Sequence, residues 1–176
     1  VRRLSISVVG GSGCRGGIVA EVLLDEGHAI TVFAKLTEGH RRAVDRRARF
    51  VEGYLVDRET ISAALRDARP DAVMHFAANA LVGESMQNPS KYFRNNVGSG
   101  LNLPDAMVAH EVRCLVFSST CATFRPPARV PIDQPTPQPP TTPSSDANLT
   151  FPTIMPLPNP PRPPPRAPLP FASCPP

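Results

Sequence analysis

A cluster of glycines near the start of the chain constrains its fold more than any other sequence feature. Gly10, Gly13 and Gly16 follow a short β-rich run, Leu4 to Val9, and precede Ile18 to Glu26, where apolar residues recur at helical spacing. In a strand–turn–helix unit, such glycines permit the tight turn, a close approach of the backbone to a phosphate, and close packing of helix on strand. The pattern predicts a dinucleotide pyrophosphate bound at the helix amino terminus.

Apolar runs and helical patterns alternate from this loop to about residue 118. The predicted strands are short and almost continuously apolar, which is typical of strands buried on both faces of a parallel sheet. They cover residues 4–9, 30–33, 49–51, 72–77 and 115–118. The predicted helices cover residues 18–26, 59–68 and 89–110. This alternation predicts an α/β fold, a Rossmann-type doubly wound parallel sheet with strand order 3-2-1-4-5.

Proline divides the chain into two parts of different composition. Twenty of its 23 prolines lie at or after Pro126, and only Pro70, Pro89 and Pro104 come earlier. Because proline has no amide hydrogen to donate, so proline-rich a segment predicts neither helix nor sheet. We expect a folded domain over residues 1–125 and a disordered proline-rich tail over residues 126–176.

Charge and composition argue against several functional classes. The net charge is +4, and the basic stretch over residues 41–49 has no aromatic residue interleaved to stack on bases. The four cysteines form no C-x-x-C pair, so no metal site is predicted. No apolar run approaches the length of a membrane span, and the first nine residues are too short for a secretory leader. We expect a cytoplasmic protein with no nucleic acid or membrane partner.

The glycine loop is the first of several segments that resemble a known enzyme family. Residues 8–16, VVGGSGCRG, resemble the V-T-G-G-x-G-Y-I-G opening of the extended short-chain dehydrogenase/reductases, which include the NAD-dependent epimerases and dehydratases. Later segments are similar to the UDP-glucose 4-epimerases of that family: GHRRAV at 39–44, RFVEG at 49–53, HFAA at 75–78, VGESM at 82–86, NNV at 95–97 and FSSTCAT at 117–123. The resemblance spans about residues 1–133. It implies an NAD-dependent isomerase that interconverts UDP-glucose and UDP-galactose through a keto-sugar intermediate.

Carried over residue by residue, the resemblance implies a site at one edge of the sheet. The implied cofactor-binding residues are Gly10, Gly13, Gly16, Phe76, Ala77, Ala78, Asn95 and Ser118. The glycines would hold the pyrophosphate, residues 76–78 the adenosine half, and Ser118 would lie beside the nicotinamide and the sugar. Thr120 is the implied catalytic residue, because its counterpart hydrogen-bonds the sugar 4-hydroxyl. Taken singly, Ser118 could simply end a strand and Asn95 could cap a turn.

The sequence departs from the family where the reaction takes place. In the family, a tyrosine takes the sugar hydroxyl proton, and a lysine four residues later lowers the pKa of that tyrosine. The tyrosines here are Tyr54 and Tyr92, both before the fifth strand, and neither has a lysine at that spacing. The resemblance also stops before the substrate-binding half of the family. We therefore expect a truncated homologue that is inactive by itself.

The cofactor site departs from the family as well. The acidic residue expected after strand two, which would bind the ribose hydroxyl, is Ala34 here, with Lys35 next. The family's G-D-L is Gly53-Tyr54-Leu55, so an adenine-contacting carboxylate is also lost. The resemblance implies NAD, while Lys35 leaves NADP open. We expect dinucleotide affinity to be lowered about tenfold to hundredfold.

Several alternatives stay open on the sequence alone. The chain could be another nucleotide-sugar epimerase or dehydratase, although VGESM favours the epimerase, or a non-catalytic dinucleotide-binding module. Residues 161–168 match SH3-ligand patterns, which would make the tail an interaction segment. Family members often pair through helices around strands four and five, so residues 90–110 are a candidate homodimer surface. Pro104 interrupts that predicted helix, where an interior proline costs about 3 kcal/mol.

Overall fold

A five-stranded parallel sheet forms the centre of the protein in a computed structural model that describes residues 2–37, 39–124, 132, 136 and 138–154. The strands are β1 Ser5–Val9, β2 Ala29–Ala34, β3 Arg49–Glu52, β4 Ala72–His75 and β5 Leu115–Phe117. Their order is β3-β2-β1-β4-β5 and every pairing is parallel, which confirms the predicted Rossmann-type fold. The chain changes direction across the sheet between β1 and β4. In such sheets a crevice opens at this point, outside the carboxyl ends of the strands.

Helices cover both faces of the sheet. The helices are α1 Cys14–Asp25, α2 Arg58–Ala68, α3 Val82–Gln87, α4 Pro89–Tyr92, α5 Asn102–Ala109 and α6 Pro143–Ile154. Short 3-10 turns occupy Arg41–Ala43 and Cys121–Thr123, and a π-helical segment occupies Phe93–Ser99. On one face α2 and α5 bury side chains against β1, β2 and β4, and on the other α1 packs on β1 and β2. β1 to β4 thus have apolar residues packed on both faces, as the continuous apolar runs predicted, whereas Val116 of β5 is 48% exposed.

α1 packs on the sheet through small residues rather than through its largest apolar side chains. Gly16 and Ala20 are its buried residues, whereas Ile18 is 58% and Val22 50% exposed. Ile18 and Val22, whose helical spacing contributed to the prediction of this helix, therefore lie mainly towards solvent. The physical reason is the short distance between the helix and the sheet, which leaves space for glycine and alanine at the contact.

α2 follows the sequence prediction closely. Asp57 precedes it, and its carboxylate accepts hydrogen bonds from the backbone amides of Glu59 and Thr60. These bonds satisfy amides that have no acceptor within the helix. The predicted apolar positions Ile61 and Leu65 are buried against the sheet, so the helical spacing identified the buried face correctly.

The predicted helix over residues 89–110 is divided into α4, the π-helical segment and α5. Pro104 lies in the first turn of α5, and its side chain is fully buried. The carbonyl of Gly100, which an amide at position 104 would otherwise approach, accepts a hydrogen bond from the amide of Leu103 instead. The cost expected for an interior proline therefore does not apply, because a first-turn residue needs no intrahelical acceptor.

α6 is an element that the proline-rich composition did not predict. Its first turn is capped by Thr142, whose hydroxyl accepts from the amide of Ser145, and Pro143 occupies the first helical position. Ala147 and Phe151 are buried against the rest of the protein. The expectation of a disordered tail thus fails for Pro143–Ile154. The SH3-ligand patterns at 161–168 lie outside the described residues.

Candidate functional site

A cleft of about 210 Å³ opens at the carboxyl ends of the central strands. Six of the predicted cofactor residues line it: Gly10, Gly13, Phe76, Ala77, Ala78 and Asn95. They come from the loops after β1 and β4 and from the π-helical segment. The parallel sheet therefore brings together residues that lie as much as 85 positions apart in the sequence.

The three glycines of the loop have different surroundings. Gly10 has a φ of +86°, and a β-carbon there would lie 2.7 Å from the backbone nitrogen of Ala77. A β-carbon on Gly16 would lie 2.6 Å from the carbonyl oxygen of Gly10. Gly13, in contrast, would place its β-carbon 3.5 Å from that same oxygen, with no other atom near. Gly10 and Gly16 thus allow close backbone packing, whereas Gly13 leaves its space to the cleft.

The amino terminus of α1 offers unpaired donors to the cleft. Gly13 is the residue before the helix, and no side chain caps the first turn. The first turn contains no acidic residue and includes the exposed Arg15. Amides in a first helical turn have no intrahelical acceptor, and the helix dipole adds partial positive charge there. The local structure therefore suits an anion such as a pyrophosphate.

One wall of the cleft is formed by the segment after β2, which folds over the glycine loop. The Ser12 hydroxyl donates to the carbonyl of Lys35 (3.2 Å), and the amide of His40 donates to the carbonyl of Ser12 (3.2 Å). Ala34 and Lys35 both line the cleft, where the sequence lacks the expected acidic residue. Among the described lining residues there is no carboxylate.

Tyr54 lines the cleft, although the sequence showed only that it replaces a carboxylate of the family. Its hydroxyl donates to the side-chain oxygen of Asn95 at 2.8 Å, and the ammonium of Lys35 lies 4.6 Å from its ring centroid. The Asn95 amide in turn donates to the side chain of Asn96, which is buried and exchanges two hydrogen bonds with the backbone of Asn79. The network links the loops after β3 and β4 through the π-helical segment.

Asn79 and Asn96 were missed as parts of this network. Asn79 directly follows the predicted stretch 76–78, and Asn96 directly follows the predicted Asn95. Adjacent asparagines in a turn-rich region were the available signal, since asparagine side chains commonly bond to nearby backbone groups. Sequence alone did not reveal that Asn96, rather than Asn95, is the buried member of the pair.

The remaining predicted residues lie outside the lining of the cleft. Gly16 is buried beneath the loop, and Ser118 and Thr120 follow β5. The Ser118 amide donates to the carbonyl of His75 at 3.0 Å, which extends the pairing of β4 and β5. The Thr120 hydroxyl accepts a hydrogen bond from the amide of Ala122 at 3.2 Å and thereby caps the 3-10 turn Cys121–Thr123.

Tyr92 has a structural environment rather than a reactive one. It is fully buried, and its one hydroxyl proton is shared between two acceptors, the carbonyl of Leu81 (2.7 Å) and the carboxylate of Glu84 (2.8 Å). Lys91 also donates to Glu84, and the hydrogen bonds from Lys91 and Tyr92 lower the pKa of that carboxyl. These contacts join α3 to α4 at a distance in sequence from the glycine loop.

Other ligand classes find little support in the part of the chain that the structure describes. No group of three or more histidine, cysteine, aspartate or glutamate side chains is arranged there to hold a metal ion. In the same ranges, every helix is too short or too polar to cross a membrane. The glycine-loop cleft is therefore the candidate functional site.

Comparison with known proteins matches the chain to a family. The model of the NAD dependent epimerase/dehydratase family matches residues 6–149. The UDP-glucose 4-epimerase of Lacticaseibacillus casei is 41% identical over 152 residues, and UDP-arabinose 4-epimerase 1 of Arabidopsis thaliana is 38% identical over 151 residues. The crystal structure of UDP-glucose 4-epimerase from Brucella ovis in complex with NAD superposes with a TM-score of 0.81 at 40% identity.

These matches cover most of this chain and less than half of each relative. The aligned region takes in 86% of this chain and 46% of the L. casei enzyme, 81% and 36% for the A. thaliana enzyme, and 85% and 46% for the B. ovis structure. The chain thus spans about half the length of the curated relatives that it matches.

Proposed function

The chain belongs to the NAD dependent epimerase/dehydratase family, and from that premise we propose that its cleft binds NAD as the cofactor-binding half of a UDP-glucose 4-epimerase. The observation that carries the proposal is the cleft itself, in which Gly13 and the uncapped amino terminus of α1 face open space. Backbone amides and a helix dipole pointing into such a space are a general arrangement for binding phosphate.

The residues present fit the pyrophosphate and adenosine portions of NAD. We propose that Gly10, Gly13 and Gly16 support the pyrophosphate, and that Phe76, Ala77 and Ala78 lie against the adenosine half. Asn95, held by Tyr54, would contribute a polar group to the same pocket. When bound, NAD supplies a reversible hydride acceptor, which is the chemistry that a sugar 4-epimerisation requires.

The sugar would lie near the carboxyl end of β5 in this proposal. Ser118 is the residue that we assign to the nicotinamide side, and Thr120 is the residue that we assign to the sugar 4-hydroxyl. The Thr120 hydroxyl already accepts one hydrogen bond, so its own proton is available to donate to a sugar oxygen. A threonine hydroxyl is too weak a base near neutral pH to remove the 4-hydroxyl proton, and general-base assistance typically contributes about 10²–10⁴-fold.

The names of the relatives support a proposal for the substrate class. A UDP-sugar is the substrate class, because relatives named as UDP-glucose and UDP-arabinose epimerases share this half of the fold. Two alternatives to this function remain. The chain is part of another nucleotide-sugar epimerase or dehydratase of the family, or it is a non-catalytic dinucleotide-binding module. Pairing of two chains through residues 90–110 and residence in the cytoplasm stay predictions.

Binding and turnover measured on one preparation test the proposal. Titration calorimetry should detect NAD binding, and a coupled assay for UDP-galactose and UDP-glucose interconversion should detect none by the 176-residue chain alone. A full-length family enzyme serves as the positive control in the assay. Turnover that is lost in Thr120→Val would contradict the predicted inactivity, and the absence of NAD binding would contradict the proposed function.

A further inference from the structure

Tyr54 lines the cleft, and the direction of its hydroxyl hydrogen bond is fixed by neighbouring side chains. We propose that the phenolic oxygen of Tyr54 accepts a hydrogen bond from the exocyclic amino group of the adenine base, so that the cleft selects adenine over hypoxanthine. The inference rests on the proposed dinucleotide-binding function and assigns Tyr54 as the residue that determines base specificity.

The loop that carries Tyr54 is anchored to its surroundings near both ends. The amide of Gly53 donates to the carbonyl of Ala34 at the end of β2 (3.2 Å), and the amide of Asp57 donates to the carbonyl of Tyr54 (2.9 Å). In a dinucleotide-binding fold, the residues after the second strand meet the adenosine ribose. The loop after β3 lies beside that position and is therefore placed to meet the attached base.

The backbone of Asn79 fixes which atoms donate in the asparagine network. Its amide donates to Asn96 Oδ1 (2.8 Å) and its carbonyl accepts from Asn96 Nδ2 (3.0 Å), so the orientation of the Asn96 side chain is set. A backbone amide can only donate and a backbone carbonyl can only accept. Asn96 Oδ1 also accepts from Asn95 Nδ2 (2.8 Å), which turns Asn95 Oδ1 towards Tyr54. Because Asn95 Oδ1 has no proton, the hydroxyl of Tyr54 must be the donor in their 2.8 Å contact.

The Tyr54 hydroxyl is consequently an acceptor for a ligand. A phenol has one proton, and Asn95 receives it, whereas the phenolic oxygen keeps lone pairs for a further partner. The amino group of adenine has protons to donate to those lone pairs. The oxo group of hypoxanthine has only lone pairs of its own, so the two oxygens would face each other without a proton. A site built for one hydrogen-bonding pattern rejects the other because polar groups are left unpaired.

The ring of Tyr54 is held as well as its hydroxyl. The side chain spans from the ammonium of Lys35, which lies 4.6 Å from the ring centroid, to the side chain of Asn95. Tyr54 is 39% exposed, and the apolar residues Phe33 and Phe76 line the same cleft. Apolar walls suit the faces of a purine, and a fixed polar group at one side selects its edge.

The experiment compares dinucleotides that differ only at the base. Titration calorimetry with NAD and with nicotinamide hypoxanthine dinucleotide gives the ratio of the two dissociation constants, and titration with 5′-AMP and 5′-IMP isolates the base end. Tyr54→Phe removes the acceptor and keeps the ring, whereas Asn95→Leu keeps the hydroxyl and releases its proton. Tyr92→Phe is the matched control, since it removes the same group from a tyrosine that does not line the cleft. Unfolding midpoints establish that each variant is folded.

The expected result is an NAD affinity at least about tenfold above that of the hypoxanthine analogue, the size expected when one polar contact is replaced by an unpaired one. Tyr54→Phe should weaken NAD and bring the two affinities close together. Asn95→Leu should also reduce the ratio, because the freed hydroxyl can donate to an oxo group, and Tyr92→Phe should keep it.

Equal affinities of the unaltered chain for the two dinucleotides would overturn the inference while leaving the proposed function intact. A ratio that persists in Tyr54→Phe or in Asn95→Leu would do the same. Failure of both dinucleotides to bind would overturn the inference and the proposed function together.

Discussion

His75 is a buried side chain whose protonation is coupled to the stability of the fold. Its ring lies at the end of β4 in contact with the rings of Phe117 and Phe151, at centroid distances of 5.6 and 5.4 Å. Burial lowers the pKa of His75 from 6.5 to about 4. The unfolded chain therefore takes up a proton that the folded protein resists, and the free energy of unfolding should fall as the pH falls from 6.5 to about 4. The loss is at most about 3 kcal/mol.

Urea unfolding at a series of pH values across this window measures the effect. His75→Gln should flatten the dependence, whereas His40→Gln, at an exposed histidine, should leave it unchanged. Glu84 and Asp57 have lowered pKa values, so their contributions are lost towards the acid end of the window or below it. A slope that persists in His75→Gln would show that another group is responsible.

α6 is the element whose contribution to stability is least expected from its composition. Phe151 is 1% exposed, and its ring lies 5.0 Å from that of Phe117 on β5. We predict that Phe151→Ala lowers the free energy of unfolding by about 3–5 kcal/mol, because it removes a large side chain from a packed contact. Thr153→Ala, at an exposed position of the same helix, should change it by less than about 0.5 kcal/mol.

Urea unfolding of both variants distinguishes a packed α6 from a loosely attached one. If Phe151→Ala and Thr153→Ala have the same midpoint as the unaltered chain, α6 does not pack on the domain in solution. Such a result would restore the expectation of a disordered segment after residue 125.

The elements that the sequence predicted have a clear apolar periodicity, and the element that it missed does not. The sheet and α2 were evident because apolar residues recur with the period of each element, as at Ile61 and Leu65. Among the described buried residues of α6, only Ala147 and Phe151 are apolar, and Ser144, Ser145 and Asn148 are polar, so no apolar helical spacing indicated the helix. The many prolines nearby hid the capping pattern of Thr142 and Ser145. The buried positions of α1, Gly16 and Ala20, were not evident from the sequence because the close approach of Gly16 to the loop is a tertiary effect.

The sequence predicted which residues lie near the candidate site but not the side-chain contacts between them. Residues at the ends of strands follow from the strand order, since parallel strands place their carboxyl ends at one edge. The hydrogen bond between Tyr54 and Asn95 joins the loop after β3 to the π-helical segment, 41 positions away, and no local pattern predicts such a contact. The sequence likewise indicated a missing carboxylate and a lysine at position 35, but not the contact between the Lys35 ammonium and the ring of Tyr54.

At the scale of the whole molecule, the predicted cofactor residues surround one end of the cleft, whereas the predicted sugar-binding residues do not line it. The glycine loop, the wall after β2 and the asparagine network surround one end with residues from this chain alone. Ser118 and Thr120 follow β5, which is the outer strand of the sheet on that side, and they do not line the cleft. This division supports the proposal that the described part of the chain binds a dinucleotide at the glycine-loop end of the cleft.

The most direct test of that account is the location of NAD binding. Gly13→Ala adds a β-carbon that the fold tolerates, because its nearest neighbour would lie 3.5 Å away, but that occupies the space where a pyrophosphate would approach. Gly83→Ala is the matched control, since a β-carbon there meets no atom within 4 Å and Gly83 does not line the cleft. Titration calorimetry should show NAD affinity reduced at least about tenfold in Gly13→Ala and unchanged in Gly83→Ala. Equal NAD affinity in the two folded variants would contradict the placement of the cofactor at the glycine loop.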